Sequence, residues 1–276
     1  MHRFKFIHNY LLFIIYYRRV LKLLKNKNIE QIKIFNFKNW HHGYAYLSGF
    51  KDNKKVFIKI DTKLLLLQND LLVYNIANES LKKYLVKIYN SIILDDIQII
   101  IYEFLSGTEL SNNIILENPK LIDNMVDILL ILNKLDIVHR DIKFDNFFIV
   151  NNQIKIIDFT FANSSDDSLG FKELNLSNAS HCETLEFLGN GLNPKPFTWN
   201  DFCSLANALE LLNKEKEANI DIRKIKLLDS KSYSVQCNKL YLKLRNRKIK
   251  LKNFFNIAHK HRDITNIKNE FIDDSK

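Results

Sequence analysis

Glycine and proline are scarce in this 276-residue chain, which has only Gly 6 and Pro 3. Long flexible or proline-stiffened linkers are therefore excluded as an organising feature. The three cysteines, Cys182, Cys203 and Cys237, are odd in number and widely spaced. They signal neither a disulfide framework nor a zinc site, and Cys203 reads as a small buried hydrophobe. A long hydrophobic run is missing too: Tyr10 to Tyr17 is the most apolar stretch near the amino end, far short of the roughly 20 residues that a spanning helix needs. What remains is a chain that is 46% hydrophobic with a formal net charge of +10. That is enough apolar matter for the core of one domain. Its abundant Lys, Asn and Ile reflect compositional bias, so single lysines carry little functional weight.

The most informative stretch is Val138-His139-Arg140-Asp141-Ile142-Lys143-Phe144-Asp145-Asn146, with Asp158-Phe159 following twelve residues after Asn146. It sets one carboxylate, one amide and a second carboxylate at fixed offsets. Phosphoryl transfer requires an acceptor hydroxyl aimed in line at phosphorus, and neutralised phosphate oxygens. Asp141 suits the task of accepting or orienting the hydroxyl proton. Asn146 and Asp158 offer the oxygen ligands that Mg²⁺ prefers, and Lys143 stands where it would steady the transferring phosphate. Phe147 to Val150 and Ile154 to Ile157 are β-prone runs separated by Asn151-Asn152-Gln153. The pattern predicts a hairpin with ligands at its two ends.

This set resembles the protein-kinase-like superfamily, with its H-R-D-x-K-x-x-N and D-F-G motifs. Lys55-Val56-Phe57-Ile58-Lys59 resembles the V-A-I-K strand, and Ile99 to Leu105 resembles the strand entering the hinge. The resemblance implies that Lys59 pairs with the α- and β-phosphates of ATP, and that backbone groups near Glu103 and Leu105 bond the adenine edge. Trp199-Asn200-Asp201-Phe202-Cys203-Ser204-Leu205 resembles the D-x-W-S-x-G helix start, with Asp201 fixing the backbone of the catalytic loop. In all it covers roughly residues 30 to 212. The implied fold is α+β and bilobal, with a small antiparallel β N-lobe at 29–105, a mainly helical C-lobe at 106–276 and a basic amphipathic segment at 1–28. The implied activity is ATP-dependent phosphotransfer to a hydroxyl, with ATP and Mg²⁺ as cofactors.

Four features depart from the family pattern. Asn39 to Tyr46 holds only Gly43 where two or three glycines are usual, so Gly43 is the expected phosphate-approach residue and His41 and His42 are side chains that could assist. Thr160 replaces the glycine of the metal loop, and a β-branched residue resists positive φ; the expectation is a loop held in one state. The acid that pairs with Lys59 is either Asp70 or Glu79, with Asp70 favoured because sugar and small-molecule kinases place it early in the helix. No A-P-E motif occurs, and the segment ending in Gly189 to Pro196 diverges from the peptide-positioning region of protein kinases.

The amino-terminal run combines apolar residues with Arg18, Arg19, Lys22, Lys25 and Lys27. Two readings stand side by side: an in-plane helix at an anionic membrane surface, or an added element of the N-lobe core. A signal peptide is not expected there. The second basic run, Lys239 to Lys252, suggests an anionic partner or a solvated face, and no nucleic-acid recognition module is recognisable. The expected location is cytoplasmic, with peripheral residence at the inner membrane face. Three functions follow: a kinase with a Ser/Thr protein-kinase-like site, for which Lys143 speaks; a kinase of a cell-envelope sugar such as lipopolysaccharide core; or a catalytically silent scaffold. In the first, Arg140 would read an anion supplied by a phosphorylated Ser164, Ser165 or Ser168, or by Asp166 and Asp167.

Overall fold

A computed structural model describes residues 16–36, 43–164, 166–172, 201–222 and 225. The stretch before residue 16, His41 and His42, Ser165, the Gly189 to Pro196 segment, Cys182, Cys237 and the basic run from Lys239 lie outside the described residues.

The first body is a five-stranded antiparallel sheet in the order β1-β2-β3-β5-β4. Its strands are β1 (Glu30–Asn36), β2 (Tyr44–Lys51), β3 (Lys54–Asp61), β4 (Ile88–Ile93) and β5 (Gln98–Glu103). The strand period of two sorts their side chains. Ala45 and Leu47 of β2, Val56, Ile58 and Ile60 of β3, and Ile99 and Ile101 of β5 form one buried face. The alternate residues of β3, Phe57 and Lys59, turn to the other side and line a cavity. The β2–β3 turn is Asp52-Asn53, both at positive φ (48° and 60°). That is the left-handed pair a two-residue hairpin of matching twist demands, and Asp and Asn tolerate it best among residues other than glycine.

The buried sheet face is covered by a helix over 16–25, α1. Val20 and Leu24 reach 1% and 0% exposure within that core. Arg19 pairs with Asp96, tying the helix to the β4–β5 turn. The described part of the amphipathic segment thus packs as an N-lobe core element, its apolar face spent on the sheet. Arg18, Lys22 and Lys25 are left exposed on the outer side.

The second body is mainly helical. It holds α4 (Asn112–Glu117), α5 (Leu121–Lys134) and α6 (Asp201–Lys216), with the hairpin β8 (Phe147–Val150) and β9 (Gln153–Ile156). Its core gathers Met125, Ile128 and Leu132 of α5 with Phe147, Ile156, Leu205 and Leu209. Short strands complete it: β6 (Thr108–Glu109) on β8, and β7 (Ile137–Val138) against β10 (Asn163–Ser164). The hairpin loop is two residues, Asn151-Asn152, at φ 50° and 61°, and Gln153 already belongs to β9. Helices α2 (Leu67–Ile76) and α3 (Glu79–Lys82) lie between β3 and β4 in sequence, and their Val73 and Leu81 join the core of the helical body. The α+β arrangement of sheet and helical body is the one expected from the motifs.

Candidate active site

Lys59 projects from the non-core side of β3 and meets three groups. Its ammonium lies 2.7 Å from Asp158 Oδ1, 2.7 Å from Thr160 Oγ1 and 3.8 Å from Asp70 Oδ2. Burial works against its charge, but the carboxylates of Asp158 and Asp70 outweigh that and raise its pKa above the usual lysine value. Burial likewise pushes Asp158 up, yet the charge and hydrogen bond of Lys59 prevail and hold it below the ordinary carboxylate range. Asp158 is therefore ionised at neutral pH, as a metal ligand must be. For Asp70, burial prevails over the opposing pull of Lys59, and its pKa is raised.

Of the two candidate partner acids, the geometry brings Asp70 to Lys59. Glu79 instead sits at the surface beside Lys82, 3.4 Å away. Asp70 also accepts hydrogen bonds from Phe159 N (2.8 Å) and Thr160 Oγ1 (3.2 Å). Its neighbour Asn69, fully buried, donates to Thr160 O and Lys172 O and accepts from Lys172 N. Helix α2 is thus clamped directly onto the loop that carries Asp158. Nothing in the local sequence around Asn69 marks this role, because its partners lie 91 and 103 residues away.

The left-handed backbone of this loop falls on Asp158 (φ 66°, ψ 63°), while Phe159 to Phe161 form a single 3-10 turn. Thr160 therefore avoids the positive φ that glycine would have served, and its hydroxyl joins Lys59, Asp158 and Asp70 (2.7, 2.6 and 3.2 Å). Thr160→Val keeps the shape and removes these bonds. We expect it to lower stability by about 1–3 kcal/mol, with Thr160→Ser restoring most of the loss, as measured by urea melts.

The loop from His139 to Asn146 is fixed from below. Asp201, at the start of α6, accepts the backbone N–H groups of His139 (2.7 Å) and Arg140 (3.1 Å). His139 Nε2 faces Ile157 O at 2.9 Å, and its Nδ1 accepts from Asp141 N at 3.2 Å. A carbonyl can only accept, so these contacts place the proton on Nε2. Lys143 Nζ sits 2.8 Å from Asp141 Oδ2, and Asn146 Nδ2 donates to Asp141 O (2.7 Å) and Oδ2 (3.0 Å). Burial would lower the pKa of Lys143, but Asp141 overrides it and the pKa is raised.

With its nitrogen committed to Asp141, Asn146 has its amide oxygen left to offer. Together with the ionised Asp158 it forms a small, hard oxygen donor set that fits Mg²⁺, an ion that takes one or two protein ligands and completes its shell with phosphate and water. No group of three or more His, Cys, Asp or Glu suited to a metal occurs among the described residues.

A cavity of about 350 Å³ opens beside these groups, a size suited to a small-molecule ligand. Lys59, Asp70 and Asp158 line its polar end, and Phe57, Tyr46 and Tyr102 much of the rest. Tyr46 stacks on Phe57 with centroids 5.7 Å apart. Glu103 and Leu105 also line it. The Glu103 N–H is donated to Lys87 O at 2.9 Å and so is not open to a ligand. Gly43 stands at the start of β2 with φ +90°, and a Cβ there would fall 2.7 Å from Lys63 Cβ. Packing against Lys63 therefore accounts for glycine at this position. Of the serine and aspartate cluster, Ser164 is buried and bonds to Asp136, while Asp166 accepts from Ser168 in an exposed turn.

A family model described as protein kinase domain matches residues 66–190, a span that includes Asp70, Asp141, Asn146 and Asp158. No curated protein matches the chain. Among solved structures, the crystal structure of the BubR1 kinase domain aligns with 18% identity and a TM-score of 0.39, covering 49% of this chain and 47% of that one.

Proposed function

We propose that this chain is a member of the protein-kinase-like superfamily and an ATP-dependent phosphotransferase that moves the γ-phosphate of ATP to a hydroxyl acceptor. One observation carries the reading. Lys59 bonds Asp158 at the polar end of one cavity, and the bonded set of Lys143, Asp141 and Asn146 is tied to that cavity's wall through the Ile157 N–H, donated to Asn146 O at 3.0 Å. In the reaction, the Asp141 carboxylate accepts the acceptor's proton as the new O–P bond forms and the bridging P–O bond to ADP breaks. Lys59 holds phosphate oxygens of the nucleotide, and Lys143 balances charge on the moving phosphoryl group. Asp158 and the Asn146 amide oxygen would hold Mg²⁺, which would add further neutralisation of phosphate charge. Phe57 and Tyr46 offer the apolar walls that suit a base, and backbone groups around Glu103 and Leu105 its polar edge.

Two acceptor classes compete. The H-R-D-x-K pattern with Lys143 beside Asp141 favours a serine or threonine of a protein. The pairing of Lys59 with the early acid Asp70 favours a sugar acceptor, such as lipopolysaccharide core. The exposed Arg18, Lys22 and Lys25 on the outer side of α1 support peripheral residence at an anionic membrane face. Incubation of the purified chain with γ-labelled ATP and Mg²⁺, offered generic peptides, itself and lipopolysaccharide extract in turn, tests the reading. Label on a peptide or on the chain selects the first acceptor, and label on the extract the second. Bound ATP with no labelled product would contradict transfer and leave a silent scaffold.

A further inference from the structure

Asn69 of α2 is fully buried, yet its side chain is an amide, which is costly to bury unless its polar atoms are bonded. An apolar residue would fill the same space without that cost. Both polar atoms are bonded, and only to backbone: Nδ2 donates to Thr160 O at 3.0 Å and to Lys172 O at 2.9 Å, and Oδ1 accepts from Lys172 N at 2.8 Å. The amide pairs with both main-chain groups of Lys172 as a residue of a neighbouring strand would. One side chain thereby holds both ends of the stretch from Thr160 to Lys172 against α2, although Lys172 is itself exposed.

The next residue completes the grip. Asp70 accepts from Phe159 N at 2.8 Å, so two adjacent residues of α2 fix two adjacent residues of the loop, directly after Asp158. Asp158 has φ 66° and ψ 63°, a left-handed backbone that a residue other than glycine keeps only where its surroundings hold it. In that conformation its carboxylate reaches Lys59 Nζ at 2.7 Å, at the polar end of the cavity. Asn69 does not line the cavity and can act only through the loop. We infer that Asn69 is a positioning residue of the phosphotransfer reaction, whose bonds to Thr160 and Lys172 keep Asp158 in the conformation in which it would hold the divalent ion. The inference rests on the ATP reading above and adds to it a residue that acts through Asp158.

Asn69→Ala removes all three bonds, and Asn69→Leu removes them while filling the space. Calorimetric titration of the full chain should show Kd for Mg²⁺-ATP raised about tenfold in both variants, as expected when one or two holding bonds no longer keep the competent loop populated. Kd for ATP after chelation should not change, because Lys59 is untouched. Hydrogen exchange of the natural chain gives a readout that needs no variant. The amides of Phe159 and Lys172 should exchange slowly, and more slowly still when Mg²⁺-ATP binds, since ion and side chain favour the same loop conformation. Unchanged Mg²⁺-ATP affinity in the variants would overturn the inference. So would recovery in the leucine variant, which would make volume the cause, or an equal loss with and without the ion, which would mark general damage to the cleft. Where one variant fails to fold the other decides; where both fail, exchange decides, and a Lys172 amide exchanging at the rate of a free peptide, or indifferent to Mg²⁺-ATP, contradicts the inference. If the natural chain binds no ATP or ignores Mg²⁺, the ATP reading itself fails and takes this role with it. If it responds to Mg²⁺ and the variants match it, only the role of Asn69 is dismissed.

Discussion

Asp141→Ala is expected to lower the rate of phosphate transfer by about 10²–10⁴-fold, the range that a positioned general base supplies, while leaving ATP affinity nearly unchanged. The two effects separate because Asp141 contacts Lys143 and Asn146 but not Lys59 or Asp158. The substitution also leaves a viable fold. Lys143 is about a third exposed, at 34%, and can return to water. Asn146 keeps its bond to the Asp141 backbone carbonyl, and Asp201 still holds the loop through His139 and Arg140. Asp141→Asn should show the same loss, because shape without basicity is not enough. Single-turnover transfer measured beside equilibrium ATP binding checks both halves. A variant that transfers at the natural rate would remove Asp141 from the chemistry.

Lys59→Met is the second large effect and acts on stability as well as on binding. Lys59 and Asp70 have side chains only 7% and 5% exposed, and Asp158 shares the same ammonium. Removing the cation leaves two neighbouring carboxylates without their counter-charge, for which we expect a loss of about 3–5 kcal/mol in urea melts. The pH dependence has a definite sign. Lys59 lowers the pKa of both acids in the natural chain, so in the variant both rise relative to it. A raised folded-state pKa means tighter proton binding by the folded state, so the variant regains stability as pH falls. The gap between variant and natural chain should therefore narrow from neutral pH towards about pH 4, near the ordinary carboxylate value. Adding Asp70→Asn to Lys59→Met should recover part of the stability and none of the ATP affinity. A gap that stays constant with pH would show that the carboxylates are not the origin of the loss.

What could be read from the sequence is what lies within one element or one motif. The period of β3 puts Lys59 opposite the Val56, Ile58 and Ile60 face, and the offsets of Asp141, Asn146 and Asp158 are fixed by a tight loop and a hairpin. Asp201 was recognisable from its neighbours Phe202 to Leu205, although its partners are 61 and 62 residues away. The choice between Asp70 and Glu79 could not be derived locally, since it depends on which turn of α2 or α3 meets the metal loop. The clamp made by Asn69 and the hydroxyl network of Thr160 depend on the same docking. Thr160 was legible as a departure from glycine but not as a ligand of Lys59, because nothing local shows that the left-handed residue of the loop is Asp158. The position of α1 was undecidable for a related reason: one apolar face can settle on a sheet or on a lipid surface, and only the tertiary fit of Val20 and Leu24 decides.

Calorimetric titration of the full chain with ATP, in the presence of Mg²⁺ and again after chelation, tests the central claim most directly. The account predicts one saturable site whose affinity drops when the divalent ion is removed, and a loss of that ion's effect in Asp158→Ala. Absence of ATP binding, or binding indifferent both to Mg²⁺ and to Asp158, would contradict it.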